Sequence, residues 1–181
     1  MLKIFFTTIL LITSSCGFHV IYSQDDQNFS HTDDLAAIRI KKDRDRTSQL
    51  LKNNLYDFLN PENLNADAKY FLTLHTERAI TPTFITLTGA SGRNKVILRV
   101  SYELQNLETA QVISTGKAMS NDSYDVTTNR YATSIAEESV TANLTKVAAQ
   151  EIRNSLVNDF IEMRKKCDGK VKVKEDFVCP L

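Results

Sequence analysis

The chain has 181 residues, 22 of them basic and 22 acidic, and no tryptophan. That length allows one ordinary domain with a core, and the charge balance gives no bulk drive toward nucleic acid or an anionic membrane. Five glycines and three prolines exclude collagen-like and low-complexity classes.

Met1-Leu2-Lys3 gives the chain a basic start, followed by a short apolar stretch from Ile4 to Ile12 and then Thr13-Ser14-Ser15-Cys16-Gly17. This is the pattern of a secretory signal over residues 1–15. The stretch falls short of the roughly 20 apolar residues that cross a bilayer. A cysteine after two serines resembles a bacterial lipobox, with Thr13 where leucine is usual. On that reading Cys16 becomes the first mature residue and carries lipid. The other reading is an ordinary signal cut near Ser15 or Cys16, which leaves a soluble secreted chain. Cleavage before Cys16 removes 15 of the 181 residues and leaves 166; Lys3 is the only charge removed, so one acid is left in excess. Asn-x-Ser/Thr triplets at Asn28, Asn121 and Asn143 would accept glycans in a eukaryotic host, but such triplets are frequent by chance.

Residues 16–34 form the anchor and tether: Phe18, Val20, Ile21 and Tyr22 are followed by a polar run from Ser23 to Asn28. The domain is expected over 35–166. Leu35 to Lys41 is predicted as a strand centred on Ala37-Ile38-Arg39-Ile40, broken by Asp43-Arg44-Asp45-Arg46-Thr47. Asp45 or Thr47 can cap the next helix. That helix reaches about Asn60, with Leu51, Leu55 and Phe58 on one face and Leu50 and Leu59 beside them; Pro61 ends it. Lys69 to Arg78 alternates, with Tyr70, Leu72 and Leu74 on one side and Lys69, Thr73 and Glu77 on the other. Pro82 predicts a bulge or an edge strand, Phe84 to Thr88 resumes, and Gly89-Ala90-Ser91-Gly92 turns. Lys95 to Leu104 is the clearest strand: Val96, Leu98, Val100, Tyr102 and Leu104 point inward, and Lys95, Arg99, Ser101 and Glu103 outward. Gln111 to Ser120 is a weaker strand containing Gly116. A long helix is predicted from Thr128 or Asn129 to about Lys165, with a stripe of Tyr131, Ile135, Ala142, Ala149, Ile152, Leu156 and Phe160 widened by Val140, Leu144, Val147 and Ala148. Asp168-Gly169 ends it, and 167–181 is a tail.

The order β-α-β-β-β-α predicts an α+β two-layer sandwich: a mainly antiparallel four-stranded sheet with two helices on one face. The other face lacks an intramolecular cover.

No nucleophile elbow, phosphate loop, His-Glu-x-x-His or Cys-x-x-Cys is present, so the chain reads as a non-enzyme without a cofactor. His75 with Glu77 is the only local acid–base pair, and reads as a solvated surface. His19, His31 and His75 lack metal-ligand spacing. In an oxidising compartment Cys167 and Cys179 can bridge, adding about 3 kcal/mol, or stay as two free thiols in the tail. A three-residue turn at Leu107-Glu108-Thr109 would set Arg99 opposite Lys117 on the face away from the helices, with Lys95 two pairs along. Like charges opposed in a ladder destabilise it unless they hold an anion, and a phosphate suits the fork of Arg99. The competing reading is a solvated face neutralised by Glu103.

Ser15-Cys16-Gly17-Phe18 with Tyr22 resembles the start of the LPS-assembly lipoprotein family (LptE). Ile38-Arg39-Ile40 with Asp45-Arg46 and Leu50 to Leu55 is similar to that family's first strand and helix. Ser123-Tyr124-Asp125-Val126, Tyr131-Ala132, Ala136-Glu137-Glu138 and the continuation through Ala148-Ala149-Gln150-Glu151-Ile152 to Leu156 resemble its last helix. The resemblance implies an α+β lipoprotein, lipid-anchored on the periplasmic side of the outer membrane. It implies that the domain plugs a β-barrel translocon subunit (LptD-like), helps that barrel assemble and helps deliver lipopolysaccharide to the outer leaflet. A lipid A phosphate would be the ligand of Arg99, Lys117 and Lys95. The rival readings are a secreted or periplasmic non-catalytic ligand-binding module and a secreted eukaryotic domain with glycans at Asn121 or Asn143.

Overall fold

A computed structural model describes residues 31–41, 44–85 and 91–171. The leader, Cys16, the tether through Ser30 and Cys179 lie outside the described residues. The elements are α1 (His31–Ala36), β1 (Ile38–Ile40), α2 (Arg46–Leu59), β2 (Tyr70–Ile85), β3 (Ser91–Asn106), β4 (Val112–Asp125) and α3 (Arg130–Val171). The strands lie side by side in chain order; β1 is parallel to β2, and the other neighbours are antiparallel. This is the expected α+β order, preceded by one short helix.

Residues 35–37 depart from the expected strand, and 31–34 from the expected tether: His31–Ala36 is helical. Asp33 and Asp34 sit in the first turn of α1, where carboxylates favour a helix start, and the Ala37 N–H bonds the Asp33 carbonyl at 3.0 Å. The strand shrinks to Ile38–Ile40. Asp45 caps α2 as expected, accepting from the Ser48 N–H at 3.1 Å. The buried apolar positions of α2 are Leu51, Leu55 and Leu59, spaced by four, with Thr47 and Ser48 also buried in its first turn; Phe58 is half-buried.

Even-numbered residues of β3, Val96 to Leu104, all face the core. They meet Leu51, Leu55 and Leu59 of α2 and Leu144, Ala148, Ala149, Ile152, Leu156 and Phe160 of α3 in one cluster. The small alanines let the helix sit close to the sheet. Tyr131, Ile135, Ala142 and Val147 were expected in the stripe but are exposed. Tyr131 and Ile135 fall on the flank that faces α2 further along. But α2 begins only at Arg46, beside Glu138 at 3.0 Å, so it does not cover the first turns of α3. The C-terminal end also differs: α3 runs through Asp168-Gly169 to Val171.

The β3–β4 register corrects the sequence reading. Asn106 folds the loop, its side-chain oxygen accepting from the Glu108 and Thr109 N–H groups at 2.8 and 3.0 Å. Ala110 takes a left-handed conformation, φ 54°, and the Asn106 N–H closes on the Gln111 carbonyl at 2.9 Å. The loop is therefore four residues, one longer than assumed. A bulge between Leu104 and Gln105 adds a second residue. Arg99 thus faces Met119, and Lys117 faces Ser101; the basic pair is diagonal rather than directly opposed. A shift of two preserves the face, because side chains alternate with period two.

Gly116 faces Tyr102 across the ladder. A Cβ there would come within 2.7 Å of Tyr102 Cε1, so only glycine lets the ring lie over β4. The Tyr102 hydroxyl then donates to Ser155 Oγ at 2.7 Å. Gly116→Ala is expected to cost about 1–3 kcal/mol by displacing the ring. Urea denaturation of the single variant and of Gly116→Ala in a Tyr102→Leu background checks this: the cost should largely vanish in the second. Tyr70 is wholly buried and packs against Phe160 with the rings tilted by 60° and centroids 5.2 Å apart. Its hydroxyl has no partner, and burial raises its pKa. Tyr70→Phe should stabilise the protein by about 1 kcal/mol. It should also flatten the loss of stability above about pH 10, where the unfolded chain ionises first.

Candidate functional site

The uncovered face is built from odd-numbered residues of β2, β3 and β4, and the ladder arranges them in rows. Thr73, Glu103 and Thr115 form one row; His75, Ser101 and Lys117 the next; Glu77, Arg99 and Met119 the third. Ala79, Ile97 and Asn121 form the fourth, and Thr81, Lys95 and Ser123 the fifth. The face mixes acids and bases. Along β2, His75 Nε2 lies 3.4 Å from Glu77 Oε1, and Gln105 Nε2 donates to Glu103 Oε1. Among the described residues Arg99, Lys117 and Lys95 make no ion pair.

Ser101 is small and sits between longer neighbours. A shallow depression of about 540 Å³ forms there, lined by Thr73, His75, Ser101, Glu103, Thr115 and Lys117, with Tyr102 and Gly116 also at its wall. Lys117 belongs to it. Arg99 stands in the adjacent row, and the apolar row of Ala79 and Ile97 separates Lys95 from both. Sequence reasoning grouped Lys95 with the other two and set His75 aside as surface; Ser101 was missed. The alternation of β3 carried the signal for the face, but only the register names the neighbours. An anion here would meet Lys117, the Ser101 hydroxyl and a diagonal Arg99, with Glu77 and Glu103 limiting the positive charge. Among the described residues no group of three or more His, Cys, Asp or Glu side chains could hold a metal ion.

Polar pins fix this face from behind. Ser114 donates to Asp159, Ser120 Oγ donates to the Leu144 carbonyl at 3.1 Å, and Tyr124 donates to Glu137 Oε2 at 2.9 Å. Arg78 of β2 reaches Glu137 Oε1 at 2.8 Å. With the Tyr102–Ser155 bond, these span nearly the whole of β4, so the sheet is a rigid platform. The far end of β2 exposes the large apolar side chains Phe84 and Ile85, and the first turns of α3 expose Tyr131 and Ile135. Cys167 is 9 % exposed and disulfide-bonded; its expected partner, Cys179, lies outside the described residues. Among the described residues no helix is long and apolar enough to cross a membrane.

No family model matches the chain. It is 28% identical over 158 residues to an uncharacterised protein of Rickettsia prowazekii (strain Madrid E), covering 87% of this chain and 97% of that protein. The fold is similar to that of a candidate lipoprotein from Caulobacter crescentus, with TM-score 0.57 and 19% identity over 68% of this chain and 90% of the other. It is also similar to rare lipoprotein B from Shewanella oneidensis, with TM-score 0.54 and 16% identity over 70% and 96% of the two chains.

At the far edge of the open face Arg93 Nε bonds Asp125 Oδ1 at 2.8 Å. That hydrogen bond, with the guanidinium charge, holds the Asp125 carboxyl below its ordinary value. A lowered folded pKa means that the stabilisation is present above the ordinary aspartate range and is lost as pH falls through the lowered value. Carboxyl NMR titration should place Asp125 below an ordinary aspartate, and Arg93→Gln should bring it back.

Proposed function

We propose that this chain is an acylated, non-catalytic outer-membrane protein of the LptE-like type, held to the inner leaflet through Cys16 and seated in a β-barrel translocon for lipopolysaccharide. The observation that carries the reading is the one-sided sheet: a rigid platform with one face sealed by α2 and α3 and the other open, polar and mixed in charge. The two lipoproteins that share the fold support it. The leader pattern ending at Cys16 supports the anchor. Exposed apolar side chains at Phe84, Ile85, Tyr131 and Ile135 fit a protein-facing end, since apolar groups rimmed by polar ones mark interaction surfaces. A phosphate of lipopolysaccharide fits the depression at His75, Ser101 and Lys117, reached from the next row by Arg99.

Two measurements test this. Palmitate labelling should be lost in Cys16→Ala, and a C-terminally tagged chain should bring down a large barrel protein from detergent-solubilised outer membranes. A monomer without acyl chain or barrel would instead favour the soluble periplasmic binding module. In a lipopolysaccharide-binding assay the double variant Arg99→Ala, Lys117→Ala should lose about tenfold in affinity, because charge-assisted contacts are the strong ones. Lys95→Ala should stay within about twofold. Unchanged affinity in the double variant would remove the phosphate site.

A further inference from the structure

We infer that the end of the domain at which the chain enters α1 sits against the lipid leaflet that holds the anchor, through the exposed side chains of Leu64, Leu107 and Val112. The inference rests on the anchor half of the reading proposed above, in which Cys16 is acylated, and does not require the barrel.

These side chains stand on two loops that are tied to each other and to α1. The Ala37 carbonyl, just after α1, accepts from the Lys69 N–H at 3.1 Å, and the Lys69 carbonyl accepts from the Leu107 N–H at 2.9 Å. Arg39 adds a rivet: its guanidinium donates to the Ala36 carbonyl at 2.9 Å and to the Ala66 carbonyl at 2.5 Å. Asn60 shapes the loop 60–69, its side chain donating to the Leu64 carbonyl at 2.9 Å and accepting from the Leu64 N–H at 2.8 Å. Asn63 takes a left-handed φ of 51° in between. Asn106 shapes the loop after β3 in the same manner. Folded this way, the loops and the start of β4 leave Leu64 37 %, Leu107 48 % and Val112 52 % exposed. Backbone already fixed by its own side chains loses little freedom on contact, so the loops are prepared for a surface.

Where the chain enters selects lipid as that surface. The described domain begins at His31, and residues 16–30 reach at most about 50 Å from the acylated sulfur. The apolar side chains Phe84 and Ile85 lie at the opposite end of the sixteen-residue β2, roughly 50 Å along the strand. A covalent lipid anchor is strengthened by a second apolar contact, and a contact too weak to hold a free domain holds a tethered one. Charge sets the kind of lipid. Glu62, Asp67 and Glu108 outnumber Lys69 on the two loops, and all four are exposed. Such loops suit zwitterionic headgroups and are repelled by anionic ones.

The chain has no tryptophan, so Leu107→Trp places a single indole at this end and Phe84→Trp a single indole at the other. Each full mature chain is reconstituted into phosphatidylcholine vesicles with and without brominated lipid, and acylation of Cys16 is checked by mass. Bromolipid should dim the Leu107→Trp emission at least about twofold and leave Phe84→Trp unchanged. Adding phosphatidylglycerol should weaken the quenching, and salt should restore it. An acylated, vesicle-bound chain with the Leu107→Trp indole unquenched, or with both indoles quenched equally, overturns the inference and leaves the lipoprotein reading standing. An unacylated chain that does not float with vesicles defeats the lipoprotein reading and this inference with it. Should Leu107→Trp disturb the hairpin, hydrogen exchange makes the same comparison on native side chains. Amides of 62–66 and 107–112 should exchange more slowly in the vesicle-bound chain than in soluble Cys16→Ser, with those near Phe84 unchanged; equal exchange of the two loops overturns the inference.

Discussion

The structure depends on a sheet that buries only one of its faces. In β3 the even positions from Val96 to Leu104 are apolar and covered, while the odd positions carry Lys95, Arg99, Ser101 and Glu103. Alternation with period two makes this division absolute: the chain cannot move one of these side chains without moving all of them. The helices therefore have one place to go, and whatever the protein meets through its sheet must meet the other side. Tyr102, Ser114, Ser120 and Tyr124 add direction to the packing. Their hydroxyls reach Ser155, Asp159, the Leu144 carbonyl and Glu137, which fixes how far α3 can slide along β4. An apolar interface alone is tolerant of such sliding; bonded hydroxyls are not.

Much of this architecture is legible in the residues. Alternation in Lys95 to Leu104 and helical spacing in Leu144 to Phe160 give element types, order and the buried face. What is not legible arises where a local pattern has two solutions or where a distant contact overrides it. Leu35-Ala36-Ala37 is an apolar run that suits strand or helix end equally, and Asp33 and Asp34 tip it to helix. Asp168-Gly169 reads as a stop, yet α3 passes through it. Tyr131 and Ile135 extend the apolar spacing of α3 beyond the point where α2 begins, so spacing alone promises a core that has no second wall there.

The open face was legible as a face and illegible as a site. Arg99, Lys117 and Lys95 share it in either register, because the loop at Asn106 and the bulge beside Gln105 each add one residue and the two additions cancel in parity. The neighbours do not survive that shift. Ser101 and His75 join Lys117, Met119 and Glu77 flank Arg99, and Lys95 is left apart. Hairpin loop length is set by a single side chain, the Asn106 amide capping Glu108 and Thr109, and a bulge has no composition of its own to announce it.

Among the described residues the sheet ends at β4, fourteen residues long and not followed by another strand. Its outward amides and carbonyls form a straight, unfinished seam, the kind along which unrelated chains adhere into aggregates. Lys117, Asp122 and Asp125 set charge of both signs beside that seam, and Gly116 weakens its readiness to extend. In these four residues the edge of the sheet carries its own protection against sticking to another chain.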